Sequence, residues 1–177
     1  MAGQAMVLPG VAPVLTTERL RLRPYRLEDF DAFATYFGSE RSRYTDGQVG
    51  RDFAWSLFAA GSGNWMLLGY GAWAIDHRES GRVLGLVALN PPTVLPSPEL
   101  GWILFSPKQE GQGLASEAVR CARVYAFREV GFTRLLSGIH RDNHRSIAMA
   151  LRLGAKLDPG LAVEGEPETR VYVHPRA

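Results

Sequence analysis

Two periodicities alternate along this chain, and their order predicts its architecture. The segment Thr17-Glu18-Arg19-Leu20-Arg21-Leu22-Arg23-Pro24 alternates polar and apolar residues, the period of a half-buried strand. Phe30, Phe33 and Phe37 then recur at helical spacing, after acids at Glu28 and Asp29 that suit a first helical turn. The polar stretch 39–50 reads as a loop and Phe53 to Ala60 as a second helix, which Gly61-Ser62-Gly63-Asn64 is expected to break. A strand over 71–76, which could begin at Met66, is joined by a glycine-bearing turn to an apolar run over 83–89, making an antiparallel hairpin. A proline-rich loop over 91–98 leads to Leu100-Gly101-Trp102-Ile103-Leu104-Phe105, a short apolar run with the character of a buried strand.

From Ala115 the period changes again. Ala118, Val119, Ala122, Ala126 and Val130 mark one buried face of a long helix, with Gly131 beyond its end. Residues 134–140 form the next strand. Asn143 or Asp142 caps a further helix whose apolar face is Ile147, Ala150 and Leu151, and residues 168–174 close the pattern as a last strand. The order is strand, two helices, three strands, helix, strand, helix, strand. It gives an α/β (α+β) class with a mixed, mostly antiparallel sheet of six to seven strands and helices on both faces. Residues 1–15 read as a loose arm and 16–177 as one domain, a length that can bury a real core.

Composition changes this picture little. Apolar residues make up 46% and charged residues 21%, as in a globular protein. A net charge of +2 gives no reason to expect a nucleic-acid partner. No stretch is long and apolar enough to span a membrane, and the single Cys121 cannot form an internal disulfide, so a cytoplasmic location is expected. No His, Cys or Asp cluster has ligand spacing, so no metal site is expected.

The candidate chemistry lies between the apolar strand and the long helix, in Ser106-Pro107-Lys108-Gln109-Glu110-Gly111-Gln112-Gly113-Leu114-Ala115. Glycines at alternate positions permit a tight turn and close backbone approach to a ligand. A helix start directs free N–H groups and the positive end of its dipole at one spot, where phosphate or pyrophosphate binds. The Gly-Lys-Ser/Thr ending of a phosphate-loop NTPase is absent. No acid ends the strand over 134–140 to hold a dinucleotide's ribose.

The spacing Lys108-x-x-Gly111-x-Gly113-x-Ala115 instead resembles the Gln/Arg-x-x-Gly-x-Gly/Ala motif of the GNAT family of N-acetyltransferases, with lysine where glutamine or arginine is commonest. Thr17 to Pro24, Glu99-Leu100-Gly101-Trp102, Ala115-Ser116-Glu117-Ala118 and Asn143-x-x-Ser146 extend the likeness over roughly 16–174, nearest to the ribosomal-protein alanine acetyltransferases. The resemblance implies acetyl-CoA as cosubstrate and an amine acceptor, either a peptide N-terminus or a small molecule. It also leaves room for a homodimer. Ile103, Leu104 and Phe105 would lie along the pantetheine arm. Lys108, Gln109, Glu110, Gly111, Gln112, Gly113, Leu114 and Ala115 would lie on the pyrophosphate, and Asn143 on the arm.

Glu99 is the candidate general base, and its other reading is an exposed carboxylate after Pro98. Ser146 would donate a proton to the departing thiolate or bond backbone in its helical turn. Ala150 stands where many relatives carry a tyrosine acid. His140 is a second candidate base, and Tyr44, Trp55 and Trp65 are candidates for an aromatic wall. A non-catalytic acyl-CoA-binding module and a binder of another nucleotide are the alternative readings.

Overall fold

The structure, a computed structural model, describes residues 11–176. Eight strands form one sheet: β1 Leu15–Thr16, β2 Leu20–Arg23, β3 Ala72–His77, β4 Val83–Asn90, β5 Glu99–Leu104, β6 Leu136–His140, β7 Lys156–Leu157 and β8 Thr169–Val173. Their order is β1-β2-β3-β4-β5-β6-β8-β7. The expected six to seven strands are corrected to eight because β1 and β7 are two residues each, too short to show alternation. Of the expected arm, residues 1–10 lie outside the described residues. Ala12 is buried, and Pro13 accepts a hydrogen bond from Trp73 Nε1 at 2.9 Å.

Four helices cover the sheet: α1 Phe30–Phe37, α2 Arg51–Leu68, α3 Leu114–Arg128 and α4 His144–Arg152. Successive residues of β4 serve opposite faces. Leu86 and Ala88 pack under α1 and α2 with Phe30, Phe33 and Phe58, while Val87 and Leu89 pack under α3 with Ala118, Val119 and Ala122. Burial on both sides explains why β4 reads as an unbroken apolar run.

α2 corrects a second expectation, because Gly61 to Asn64 do not break it. A Cβ on Gly61 would stand 3.1 Å from Ala72 Cβ, and one on Gly71 would stand 2.7 Å from the Gly61 carbonyl oxygen. These glycines let α2 lie directly on β3. The helix ends instead at Gly69, whose φ of 76° is the left-handed cap conformation. Met66 therefore belongs to the helix and not to a strand.

A buried ionic cluster fixes the corner where β2 passes into α1. Arg23 donates to Asp76 from Nε (2.6 Å) and Nη2 (2.8 Å), to Asp29 from Nη1 (2.7 Å) and Nη2 (2.8 Å), and to the Pro24 carbonyl from Nη1 (2.9 Å). All five guanidinium N–H donors are thus used. The three charged side chains are each 6% exposed or less. Removing one partner of such a cluster leaves uncompensated charge in the interior. Arg23→Met is expected to lower unfolding free energy by roughly 3–5 kcal/mol, read as a fall in the urea midpoint with an unchanged m-value. A shift no larger than that of an exposed arginine variant would show that the cluster is not structural.

Candidate active site

The site begins with a defect in the sheet. β5 is parallel to β6, the only parallel pair among the described strands, and the two are in register at one position, Glu99 with Leu136. Beyond that point they separate. A cleft of about 480 Å³ opens beside the gap, lined among others by Glu99, Trp102, Ile103, His140, Asn143 and Ser146.

Strand geometry decides which backbone groups face the opening. The Phe105 N–H donates to the Leu84 carbonyl at 2.8 Å, so Phe105 and Ile103 turn their polar backbone towards β4. Leu100, Trp102 and Leu104 alternate with them and turn theirs towards the gap. Side chains take two of these carbonyls: Ser137 Oγ donates to Leu100 O at 2.5 Å, and Arg41 Nη2 donates to Leu104 O at 3.0 Å. Of the three residues expected along the arm, Leu104 alone directs its backbone into the opening. Ile103 lines the cleft with its side chain, and Phe105 packs against Phe33 and Tyr36. Trp102 was missed, although the period of two along a strand puts its backbone on the same side as that of Leu104.

Behind the gap, His174 lies 2.8 Å from Ser137 Oγ through its Nε2. Because the Ser137 proton goes to Leu100 O, the His174 Nε2–H must be the donor. Burial, aided by the Arg123 charge, lowers the His174 pKa to about 4 and keeps the ring neutral.

Glu99 sits at the one paired position. Its Oε1 accepts the Gly138 N–H at 2.8 Å, so it is not the free strand-end carboxylate of the alternative reading. Burial raises its pKa; the Gly138 hydrogen bond opposes this, and the Glu166 and Asp46 carboxylates add to it.

The glycine loop follows β5. Ser106 Oγ accepts the Lys108 N–H at 3.3 Å and Gln109 Oε1 accepts the Ser106 N–H at 3.2 Å, which closes a short 3-10 turn over Pro107–Gln109. Gly111 and Gly113 then take φ of 74° and 75°, where side-chain-bearing residues are strained. The first bond of α3 runs from the Glu117 N–H to Gly113 O at 3.0 Å, leaving the N–H groups of 114–116 without helical acceptors. Lys108, Gly111, Gln112 and Gly113 are exposed, Gln109, Glu110 and Ala115 half-buried, and Leu114 is buried in the core.

Two sequence signatures turn out to be one interaction. Glu117 Oε1 accepts from Thr17 Oγ1 (2.5 Å) and the Arg19 N–H (2.9 Å), and its Oε2 accepts from Arg19 Nε (2.7 Å). Arg19 Nη1 also reaches Gln112 O at 2.9 Å. The Thr-Glu-Arg start therefore clamps the glycine loop through the glutamate of Ala-Ser-Glu-Ala.

At the other side of the gap Asn143 caps α4, its Oδ1 accepting the Ser146 N–H at 3.3 Å, which leaves Nδ2 for another partner. The Ser146 hydroxyl makes no hydrogen bond among the described residues, so the backbone-bonded reading of this serine is not what the structure shows. Ala150 is fully buried among Ile139, Ala155 and Tyr172. Leu151, expected on the apolar face, is 53% exposed, and Met149 takes its place.

His140 lines the cleft with Tyr44, their ring centroids 5.0 Å apart. Tyr25, Phe33, Phe37 and Trp102 complete the aromatic lining. Trp55 is exposed and stacks edge-on to Phe30, while Trp65 is in the core against Trp73 and Tyr125, so neither faces the cleft. Among the described residues no three His, Cys, Asp or Glu side chains group as metal ligands, and no helix is long and apolar enough to cross a membrane.

Comparison with known proteins gives this geometry its context. An acetyltransferase from Agrobacterium tumefaciens str. C58 shares 36% identity, with TM-score 0.88, covering 98% of this chain and 100% of its own. A putative GNAT-family acetyltransferase from Bordetella pertussis shares 28% at TM-score 0.73, covering 94% of this chain and 100% of its own. RimL, a ribosomal alpha-N-protein acetyltransferase solved in complex with coenzyme A, has the same fold at 16% identity and TM-score 0.73, covering 93% and 98%. The family model described as acetyltransferase (GNAT) domain matches residues 19–156, which takes in Arg19 and Glu117 of the clamp, the opened strands and the glycine loop. On that match, and on the end-to-end likeness to the Agrobacterium enzyme, the chain belongs to the GNAT acetyltransferase family.

Proposed function

We propose that this enzyme transfers an acetyl group from acetyl-CoA directly to a primary amine, with both substrates bound together in the cleft. The observation that carries the proposal is the Glu99 carboxylate, held in the cleft at the one point where β5 and β6 pair. Acetyl-CoA, as in the family, supplies an acyl group already activated by a thiol leaving group. The chain must then hold it, deprotonate the amine and protonate the thiolate.

Holding falls to backbone. The unpaired N–H and C=O of Trp102 suit an arm that carries amide groups, and the left-handed glycines and free N–H groups up to residue 116 suit its pyrophosphate. Asn143 Nδ2 has no protein acceptor among the described residues and is available to an arm carbonyl. Glu99 is fitted to take the amine proton because burial has lifted its pKa towards the working range of a base while its Gly138 bond fixes its position. Ser146 has a hydroxyl free to protonate the departing thiolate. The acceptor is a peptide N-terminus or a small-molecule amine, and the acyl-CoA-binding module remains the competing reading because Ala150 removes the usual tyrosine acid.

Glu99→Gln keeps the acceptor oxygen for the Gly138 N–H but removes basicity. The kcat should fall by roughly 10²–10⁴-fold with acetyl-CoA affinity nearly unchanged. Activity of the unaltered enzyme should drop as pH falls through the raised Glu99 pKa, and the variant should lack that limb. Near-normal turnover and pH dependence in the variant would move the base to His140 or to water.

Gly113→Val tests the loop. The space around a Cβ at Gly113 is open except for Arg19 Nη2 at 3.5 Å, so the protein itself tolerates the volume. The positive φ costs about 1–2 kcal/mol, and the side chain obstructs the amides. Calorimetry should show clearly weaker CoA binding by a protein that remains folded. Unchanged affinity would remove the pyrophosphate from this loop.

A further inference from the structure

Arg41 lies on a half-turn (Glu40–Ser42) between α1 and α2, far in sequence from the glycine loop, yet it touches both ends of the cofactor path. Its Nη2 donates to Leu104 O at 3.0 Å, at the end of the opened strand, and to Glu110 Oε1 at 2.8 Å, inside the glycine loop. Arg145, in the first turn of α4, pairs with the other oxygen of the same carboxylate. Two guanidiniums therefore share one acid, and the group of charges around Glu110 has surplus positive charge.

Arg41 and Arg23 make an informative contrast. Arg23 uses all five of its donors and has nothing left to offer. Arg41 uses a single nitrogen, and its Nε is buried without any partner. An arginine so placed is under-satisfied, which is costly unless something else completes it. Its backbone, however, is fixed. Ser42 Oγ is within hydrogen-bonding distance of the carbonyls of Phe37, Ser39 and Gly47, and Tyr36 Oη donates to the Arg41 carbonyl at 3.1 Å. The head is free to change partner while the stem stays in place.

We propose that Arg41 is a ligand for the cofactor's pyrophosphate, exchanging Glu110 for phosphate oxygens when acyl-CoA binds. The inference rests on the acetyl-CoA reading given above. A planar guanidinium fits a phosphate through paired N–H donors, and a pyrophosphate brings more charge than the single carboxylate it replaces. Glu110 keeps Arg145 and so is not left unpaired. Glu110 is the anion that Arg41 holds in this structure.

The test is the affinity of the unaltered protein, Arg41→Gln and Arg41→Lys for three probes. CoA and 3′-dephospho-CoA would be measured by calorimetry and pantetheine, which has no phosphate, by ligand-observed NMR titration. Melting curves check that the variants fold. Arg41→Gln should weaken CoA and dephospho-CoA alike by about 10–100-fold, the range for hydrogen bonds to charged groups, and leave pantetheine unchanged. Arg41→Lys, with charge but no fork, should fall between. Equal weakening of all three probes would make Arg41 a packing residue and overturn the proposal. Tighter CoA binding by Arg41→Gln would make it a plug over the slot. A loss confined to CoA would assign it to the 3′-phosphate, and unchanged affinity would give it no role. Failure of the unaltered protein to bind CoA would overturn the proposed function too, whereas each other contrary result overturns this inference alone.

Discussion

The separation of β5 and β6 sets the terms for everything around it. A buried strand edge cannot leave its N–H and C=O groups unmet, because each lost hydrogen bond in the interior costs on the order of 1–3 kcal/mol. Here the sheet stops pairing after Glu99 and Leu136 and yet stays covered by helices. Ser137 satisfies Leu100, Arg41 satisfies Leu104, and Glu99 satisfies Gly138. Trp102, between them, turns its backbone into the opening without a partner among the described residues. The catalytic candidate and the fold are coupled at this point, since Glu99 both stabilises the opening and faces the cleft it creates.

The neighbouring elements hold that opening against the glycine loop. Thr17 and Arg19 grip Glu117 and thereby fix the first turn of α3, which orients the free amides. The Arg23 cluster ties β2, β3 and the start of α1 into one corner, so the segment that carries Tyr44 and Arg41 leaves from a rigid base. Interior ion clusters are weak arguments for stability in themselves. This one is complete in its hydrogen bonds, and its role is to define where α1 begins.

The strands β2 to β6 were legible because their hydrophobic periods reflect burial on one or two faces, and α3 because its apolar stripe is unbroken. The glycine loop could be read as a turn for the same local reason: two alternate glycines ahead of a helical stripe mark a tight change of direction, and both take positive φ. What escaped is tertiary in origin. Gly61 and Gly63 look like helix breakers until β3 is seen packed against Gly61. Two-residue strands have no period to detect. Trp55 and Trp65 gave no local sign of which way they point, and one turned to solvent and the other to the core. Ser137 and Arg41 carry no signal at all, since their importance comes from carbonyls 37 and 63 residues away. Glu117 was visible as part of a motif, but not as the reason that Thr17 and Arg19 accompany it.

Residue-resolved amide hydrogen exchange by NMR decides whether the opened edge of β5 holds the cofactor arm, as proposed. Without ligand, the amides of Trp102 and Leu104 should exchange fast, while that of Phe105, bonded to Leu84, exchanges slowly. With saturating CoA, Trp102 and Leu104 should become protected and Phe105 should hardly change. Protection confined to other parts of the chain, with Trp102 and Leu104 still exchanging fast while CoA is bound, would mean that the arm does not lie on this edge.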